Sequence, residues 1–131
     1  LGRESSSASV SGRLRFVKTH GTEAWPARAG VGLFQGGAEN MGVQLVLLQP
    51  LAADAQLVVG YRVLEGGREF RFEPLTRVSL NTSVRVHLML KRGAVSLKLD
   101  DGGWLSIPTP LKEASAHLTV SSGVAEFVSD E

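Results

Sequence analysis

The residues of this chain best suited to chemistry are its cations, and most of them recur at every second position. Arg13, Arg15, Arg62, Arg71, Arg85, His87, Lys91 and Lys98 fall on the polar phase of segments whose alternate residues are apolar. In an extended strand that phase is one face. Where such strands neighbour one another, the side chains line up as a stripe across a sheet. Guanidinium forks match carboxylates and sulfates bidentately, so a stripe of this kind suits an acidic polysaccharide or a carboxylate-bearing protein surface. The competing reading is a solvated face neutralised by Glu69, Glu73, Glu126 and Asp100, and the formal net charge of +1 favours it. Two tryptophans add apolar platforms on which a sugar ring can stack. Trp25 stands beside Pro26 in a loop and is the stronger platform. Trp104 follows Gly102-Gly103 and leads into Leu105 and Ile107, which reads as a plug in one end of the fold.

Other chemistries leave weaker traces. Glu69 and Glu73 sit four apart around Phe70 and Phe72, so a regular strand places both on one face, where they form either an acid pair or a face neutralised by Arg68 and Arg71. Glu39 and Asn40 in a Gly-rich loop, and Asp100 with Asp101 at a strand end, offer oxygens to calcium. The same residue types make turns for backbone reasons alone. His20, His87 and His117 lack zinc spacing. No Gly-x-Ser-x-Gly elbow is present. Tyr61, Arg85 and His87 supply the types a polysaccharide lyase needs, a base beside a neutralising cation.

The elements that must position these residues are strands. Val10, Leu14 and Phe16 alternate with Ser11, Arg13 and Arg15. Val31 and Leu33, then Val43, Leu45 and Leu47, then Leu57, Val59, Tyr61 and Val63 make successive inward sets. Gly66-Gly67 turns the chain into the strand of Phe70 and Phe72. Val84, Val86, Leu88 and Leu90 alternate with Arg85, His87, Met89 and Lys91. Arg92-Gly93 turns that strand into Val95, Leu97 and Leu99, and Asp101 to Gly103 turns again before Trp104 to Ile107. The chain closes with His117 to Val120 and Val124 to Val128, read as a strand pair joined at Ser121-Ser122-Gly123. Helical periodicity is confined to one short turn between Pro110 and His117. Nine or ten strands with turns at short spacing predict an all-β sandwich or barrel, and we expect the two-sheet antiparallel sandwich.

At 131 residues with 43% hydrophobic and 21% charged residues, the chain fits one globular domain. The Ser-rich residues 1–9 read as a flexible arm and 10–131 as the domain. The absence of cysteine removes disulfides and thiol chemistry. No apolar run approaches the length of a membrane span, and the near-zero charge advertises neither nucleic acid nor a membrane as partner. Apolar residues on outward phases (Val46, Leu48, Val58 and Met89) point instead to a face covered by another protein or a second copy.

Three segments together resemble the concanavalin A-like and laminin-G-like jelly rolls. Val84-Arg-Val-His-Leu-Met-Leu-Lys-Arg-Gly-Ala-Val-Ser-Leu-Lys-Leu-Asp100 is similar to their central hairpin, which turns through Gly and ends in Asp-Gly, here Asp101-Gly102. Gly30-Val-Gly-Leu-Phe-Gln35 is similar to an upstream strand of theirs, and Val120-Ser-Ser-Gly-Val-Ala-Glu-Phe127 to the closing one. The resemblance implies a jelly roll with one concave sheet whose face or rim binds glycans, sometimes with calcium. The resulting expectation is a noncatalytic, extracellular carbohydrate-binding module. Its ligand, an acidic glycan in the sharpest form, would be held by Trp25, Arg13, Arg15, Tyr61, Arg62, Arg71, Arg85 and His87. An assembly domain, including a homodimer, and a lyase or glycoside hydrolase are the alternatives.

Overall fold

The computed structural model describes residues 3–20, 26–49 and 56–130. Among the described residues ten strands run in chain order as β1 Ser9–Thr19, β2 Arg28–Gln35, β3 Met41–Leu48, β4 Gln56–Glu65, β5 Arg68–Ser79, β6 Ser83–Lys91, β7 Ala94–Leu99, β8 Leu105–Pro108, β9 Ser115–Ser121 and β10 Gly123–Ser129. They form two five-stranded sheets. The front sheet has the order β5-β4-β3-β2-β9 and the back sheet β10-β1-β6-β7-β8. Every pairing is antiparallel. The fold is the all-β sandwich that the alternation predicts, in the jelly-roll form that the resemblance implies.

The inward sets read from the sequence meet between the sheets. Leu14, Phe16, Val84, Val86, Leu88, Val95 and Leu97 come from the back sheet. Val31, Leu33, Val43, Leu45, Leu47, Leu57, Val59, Tyr61 and Val63 come from the front. Full burial of each such Leu or Val is worth about 1.5–3 kcal/mol, which is why a strict period of two fixes the face of every central strand. The β4–β5 hairpin closes through Gly66 and Gly67, both with positive φ (60° and 77°), the left-handed pair that a two-residue turn requires.

Three expectations change. The segment from Pro110 to His117 holds no helical turn; Lys112 and Glu113 form a bend that leads into β9. The closing strands are not a hairpin. β9 pairs with β2 in the front sheet and β10 with β1 in the back sheet, so the chain crosses the sandwich at Ser122, whose φ is 58°. Residues 3–8, read as part of an arm, are tied down at several points. The backbone N–H of Gly36 donates to Glu4 Oε2 at 2.6 Å, Ser5 forms a bridge to Ala114, and the Leu90 N–H donates to the Ala8 carbonyl.

Candidate functional site

The cationic row is divided between the sheets. Arg13 and Arg85 are cross-strand partners on β1 and β6, and His87 is the partner of Ser11 and of Lys98. Arg13, Arg15, Arg85, His87 and Lys98 therefore share the outer face of the back sheet. Arg62 stands on the outer face of the front sheet. Arg71 pairs with the inward residue Val63, places its guanidinium 5.6 Å from the Tyr61 ring centroid and binds Glu73 at 3.2 Å. One stripe across one sheet is thus corrected to three separate settings, because periodicity does not give a strand's sheet and, on β5, the inward phase is that of Arg71 and not of Phe70 and Phe72. Tyr61 is a core residue. The thickness of the sandwich separates it from Arg85 and His87, so these three cannot flank one bond. A register shift between Val63 and Leu64 also parts the two glutamates, leaving Glu69 with Arg62 and Glu73 with Arg71. Trp25 lies outside the described residues.

On the back sheet two of the five cations are held by carboxylates. Arg15 meets Glu126 at 3.3 Å, and Arg85 Nη1 donates to both oxygens of Asp130 at 3.0 and 3.3 Å. Trp104 does not plug the sandwich. It is 49% exposed, with the His87 ring edge-on at 5.0 Å and Lys98 Nζ 5.9 Å above its centroid. A shallow depression of about 200 Å³ beside it is lined by Ser11, Arg85, His87, Lys98, Asp100 and Asp101. The Ser11 hydroxyl donates to Asp130 at 2.5 Å. That bond, and then Arg85 and Arg13, hold the Asp130 carboxyl below its ordinary value against the cost of desolvation. The folded value lies under the unfolded one, so the contribution is present above the ordinary carboxylate value and is lost as pH falls from there through the lower folded value. Asp130→Asn is therefore expected to melt lower than the parent at neutral pH, and the gap should close in acid, as a melting series across pH will read.

The outer face of the front sheet is built differently. Four cross-strand rows cover it. The second reads His117, Gly32, Gln44, Arg62 and Phe72 across β9, β2, β3, β4 and β5, and the third reads Thr119, Gly30, Val46, Gly60 and Pro74. Glycines on this outward phase leave room for neighbouring side chains to lie flat. Gln44 lies over Gly30, Phe72 over Gly60, and the Phe34 ring over Gly32 and Gly42. Val46, flanked by two of these glycines, is only 1% exposed. Part of the outward apolar phase is thus covered within the chain itself.

A polar network crosses this glycine floor. Gln44 Nε2 donates to Thr119 Oγ1 at 2.6 Å. Arg62 Nη1 donates to Gln44 Oε1 at 3.4 Å and to Glu39 Oε1 at 3.1 Å. Arg28 Nη2 donates to the same Glu39 oxygen at 3.1 Å. Arg62 Nε lies 3.2 Å from Glu69 Oε1 but is not aligned with it, and remains a buried N–H without a hydrogen bond among the described residues. Burial, and next the charge of Arg28, hold the Arg62 guanidinium below its ordinary value, while Glu39 and Glu69 pull it back. Arginine stays charged through such shifts. Glu39 reaches its place from the β2–β3 loop with φ of 57°, a left-handed conformation uncommon for a residue with a Cβ. Arg28, Glu39 and Glu69 keep roughly a third to a half of their side chains exposed around the buried hub.

This arrangement presents fixed donors and acceptors at short spacing on a flat floor. Of its members the sequence marks Arg62 as a ligand cation, Glu39 only as a calcium ligand, and Glu69 only as half of an acid pair or a neutralising carboxylate. Gln44, Arg28 and Thr119 were missed. Their signal was the run of glycines at 30, 32, 42 and 60 on the outward phase of central strands, where glycine marks a close approach. Glu39 is committed to two guanidinium groups, and Asp100 Oδ1 accepts the Arg85 backbone N–H at 2.9 Å. Among the described residues no group of three or more His, Asp or Glu is gathered for a metal.

No family model matches the sequence, and no curated protein matches it. Solved structures do. The carbohydrate-binding module CBM66 from Bacillus subtilis superposes with a TM-score of 0.64 at 14% identity, over 96% of this chain and 74% of that one. Chicken galectin 2 gives 0.59 at 11% identity, over 98% and 94%. An alginate lyase from Alteromonas sp. 272 gives 0.59 at 9% identity, over 90% of this chain and 52%, about half, of the enzyme. At such identities the likeness is one of fold, and it agrees with the two antiparallel sheets of a jelly-roll β-sandwich.

Proposed function

We propose that this domain is a noncatalytic carbohydrate-binding module that reads its ligand on the outer face of the front sheet. The observation that carries the reading is the buried Arg62 hub, with an N–H left unaligned and with Glu39, Arg28 and Glu69 exposed around it. A sugar hydroxyl both donates and accepts, so adjacent fixed carboxylates and guanidinium groups serve it without a conformational search. The half-buried Phe72 beside Arg62 offers an apolar edge for the sugar's C–H face. That proteins named as carbohydrate-binding modules and galectins share the sandwich supports the class of ligand. Two guanidinium groups against two carboxylates suit a neutral sugar in an extracellular glycan.

A second reading keeps the acidic glycan and moves it to the back sheet. The exposed Trp104, with Lys98 and His87 against it, favours a carboxylated sugar stacked on the indole. Salt separates the two readings, since screening weakens an exposed charge contact and spares a neutral hydrogen-bonded one. A glycan array followed by calorimetry at two salt concentrations is the test. On the first reading Glu39→Gln and Thr119→Val each weaken binding about tenfold or more, and salt has little effect. Loss on Trp104→Ala or Lys98→Ala with both front-sheet variants unaffected selects the second. A flat response to every neutral and acidic glycan overturns both.

A further inference from the structure

The four sheet edges are not protected alike, and that of β10 carries one charge, Glu126. A free strand edge invites pairing with another chain unless charge, proline, bulges or shortness prevent it. β5 carries Arg68, Glu69, Arg71, Glu73, Pro74 and Arg77, with two register shifts. β8 is four residues long and ends in Pro108. β9, Ser-Ala-His-Leu-Thr-Val-Ser, has no Lys, Arg, Asp, Glu or Pro, and its Leu118 and Val120 are 41% and 42% exposed. Between β9 and the back sheet lies an open cleft of about 610 Å³, lined in part by Val10, Ala116, Leu118 and Phe127.

The direction of the backbone groups on β9 follows from a contact already made. Ala114 exchanges both backbone hydrogen bonds with Ser5 on the side away from β2. Antiparallel strands alternate the side to which each residue turns its N–H and C=O. Ala116, Leu118 and Val120 therefore turn theirs to the free edge, and Ser115, His117, Thr119 and Ser121 turn theirs to β2. Leu118 is the midpoint of β9.

We propose that two copies of this chain pair through β9, antiparallel, about a two-fold axis at Leu118. Leu118 then faces its own copy and Ala116 faces Val120 of the other. Three such residue pairs, each exchanging two bonds, form about six hydrogen bonds. The inward side chains across the junction are all apolar, and no charge opposes a like charge. The second copy's strand ends at Ser121, opposite Ser115, and stops short of the place where Ser5 occupies the edge. A two-fold of this kind stands perpendicular to the sheet, so the front sheets join into one of ten strands with both outer faces on the same side. Two glycan sites so placed would act together on a multivalent surface. The pairing itself does not depend on the glycan reading.

Sedimentation velocity from micromolar to millimolar protein tests this, with Leu118→Lys and Val120→Lys as variants and Phe70→Ser, on the charged β5, as control. A dimer is expected for the parent and the control. Either lysine variant should weaken it about a hundredfold or more, because both copies carry the charge into an apolar junction. Amide exchange needs no variant. The amides of Ala116, Leu118 and Val120 should be protected at high concentration and exposed on dilution, while those of His117 and Thr119 stay protected throughout. A parent that remains monomeric at millimolar concentration overturns the proposal. So does a dimer indifferent to both lysines, or exchange at Leu118 that ignores concentration. None of these outcomes bears on whether one copy binds a glycan.

Discussion

Replacing Arg62 with alanine is expected to lower the stability of the domain by about 2–3 kcal/mol, read as a fall in melting temperature of roughly 10 °C. The side chain is 8% exposed and lies on three partners. Its removal leaves Gln44, itself fully buried, with an acceptor that nothing satisfies. It also brings Glu39 and Glu69 to the edge of a pocket that no longer holds their shared cation. Removing one partner of a fully buried pair costs about 3–5 kcal/mol. Here Glu39 and Glu69 keep 31% and 48% of their side chains in water, which recovers part of that cost. Arg62→Lys should fall between, because an ammonium restores the charge but not the fork that reaches Gln44 and Glu39 together. Adding Glu39→Gln to Arg62→Ala should cost less than the sum of the two changes, with a coupling of about 1 kcal/mol. A melt of Arg62→Ala within a degree or two of the parent would mean that the network braces nothing.

The same residue shows how far the sequence could be read. Its position on the polar phase of β4 is legible, since Tyr61 and Val63 on either side must turn inward. So are the faces of Arg13, Arg85 and His87 on β1 and β6. What periodicity cannot carry is sheet membership. Val63 and Val86 both read as inward, yet they face the core from opposite sides, so Arg62 and Arg85 point away from each other. The closing strands failed for a related reason. A short Ser-Ser-Gly link reads as a hairpin, and only the competition of β1 and β2 for partners sends β9 and β10 to different sheets. Glu39 was beyond reach as a network member because a loop residue with positive φ has no phase. Bulges were equally silent, and one of them sends Glu69 and Glu73 to different faces.

Gly42→Ala is expected to be more damaging than any other single-methyl addition on the front-sheet floor, at about 3 kcal/mol or more. Two effects oppose each other. Alanine narrows the unfolded ensemble, a gain of about 0.4–1 kcal/mol where the native backbone tolerates it, and Gly42 is not among the positive-φ glycines. Against this, the added methyl would overlap the Leu33 carbonyl oxygen and come within 2.7 Å of Phe34 Cδ1 and 2.9 Å of Phe34 Cα. Two of those three atoms are backbone, so the strand itself must move. Gly30→Ala meets only side-chain atoms of Gln44, from Cγ at 2.9 Å to Nε2 at 2.5 Å, and can be relieved by swinging Gln44 off Thr119. That variant should stay folded and lose the sugar affinity proposed for this face. Gly103→Ala, which meets nothing within 4 Å, should change stability by less than about 0.5 kcal/mol. The order of the three in a denaturant titration tests whether glycine is present on this face for close approach of strands and side chains. If Gly42→Ala unfolds no earlier than Gly103→Ala, the flat floor under Phe34 and Gln44 is not what those glycines maintain, and the positioning of Arg62 and Thr119 would need another cause.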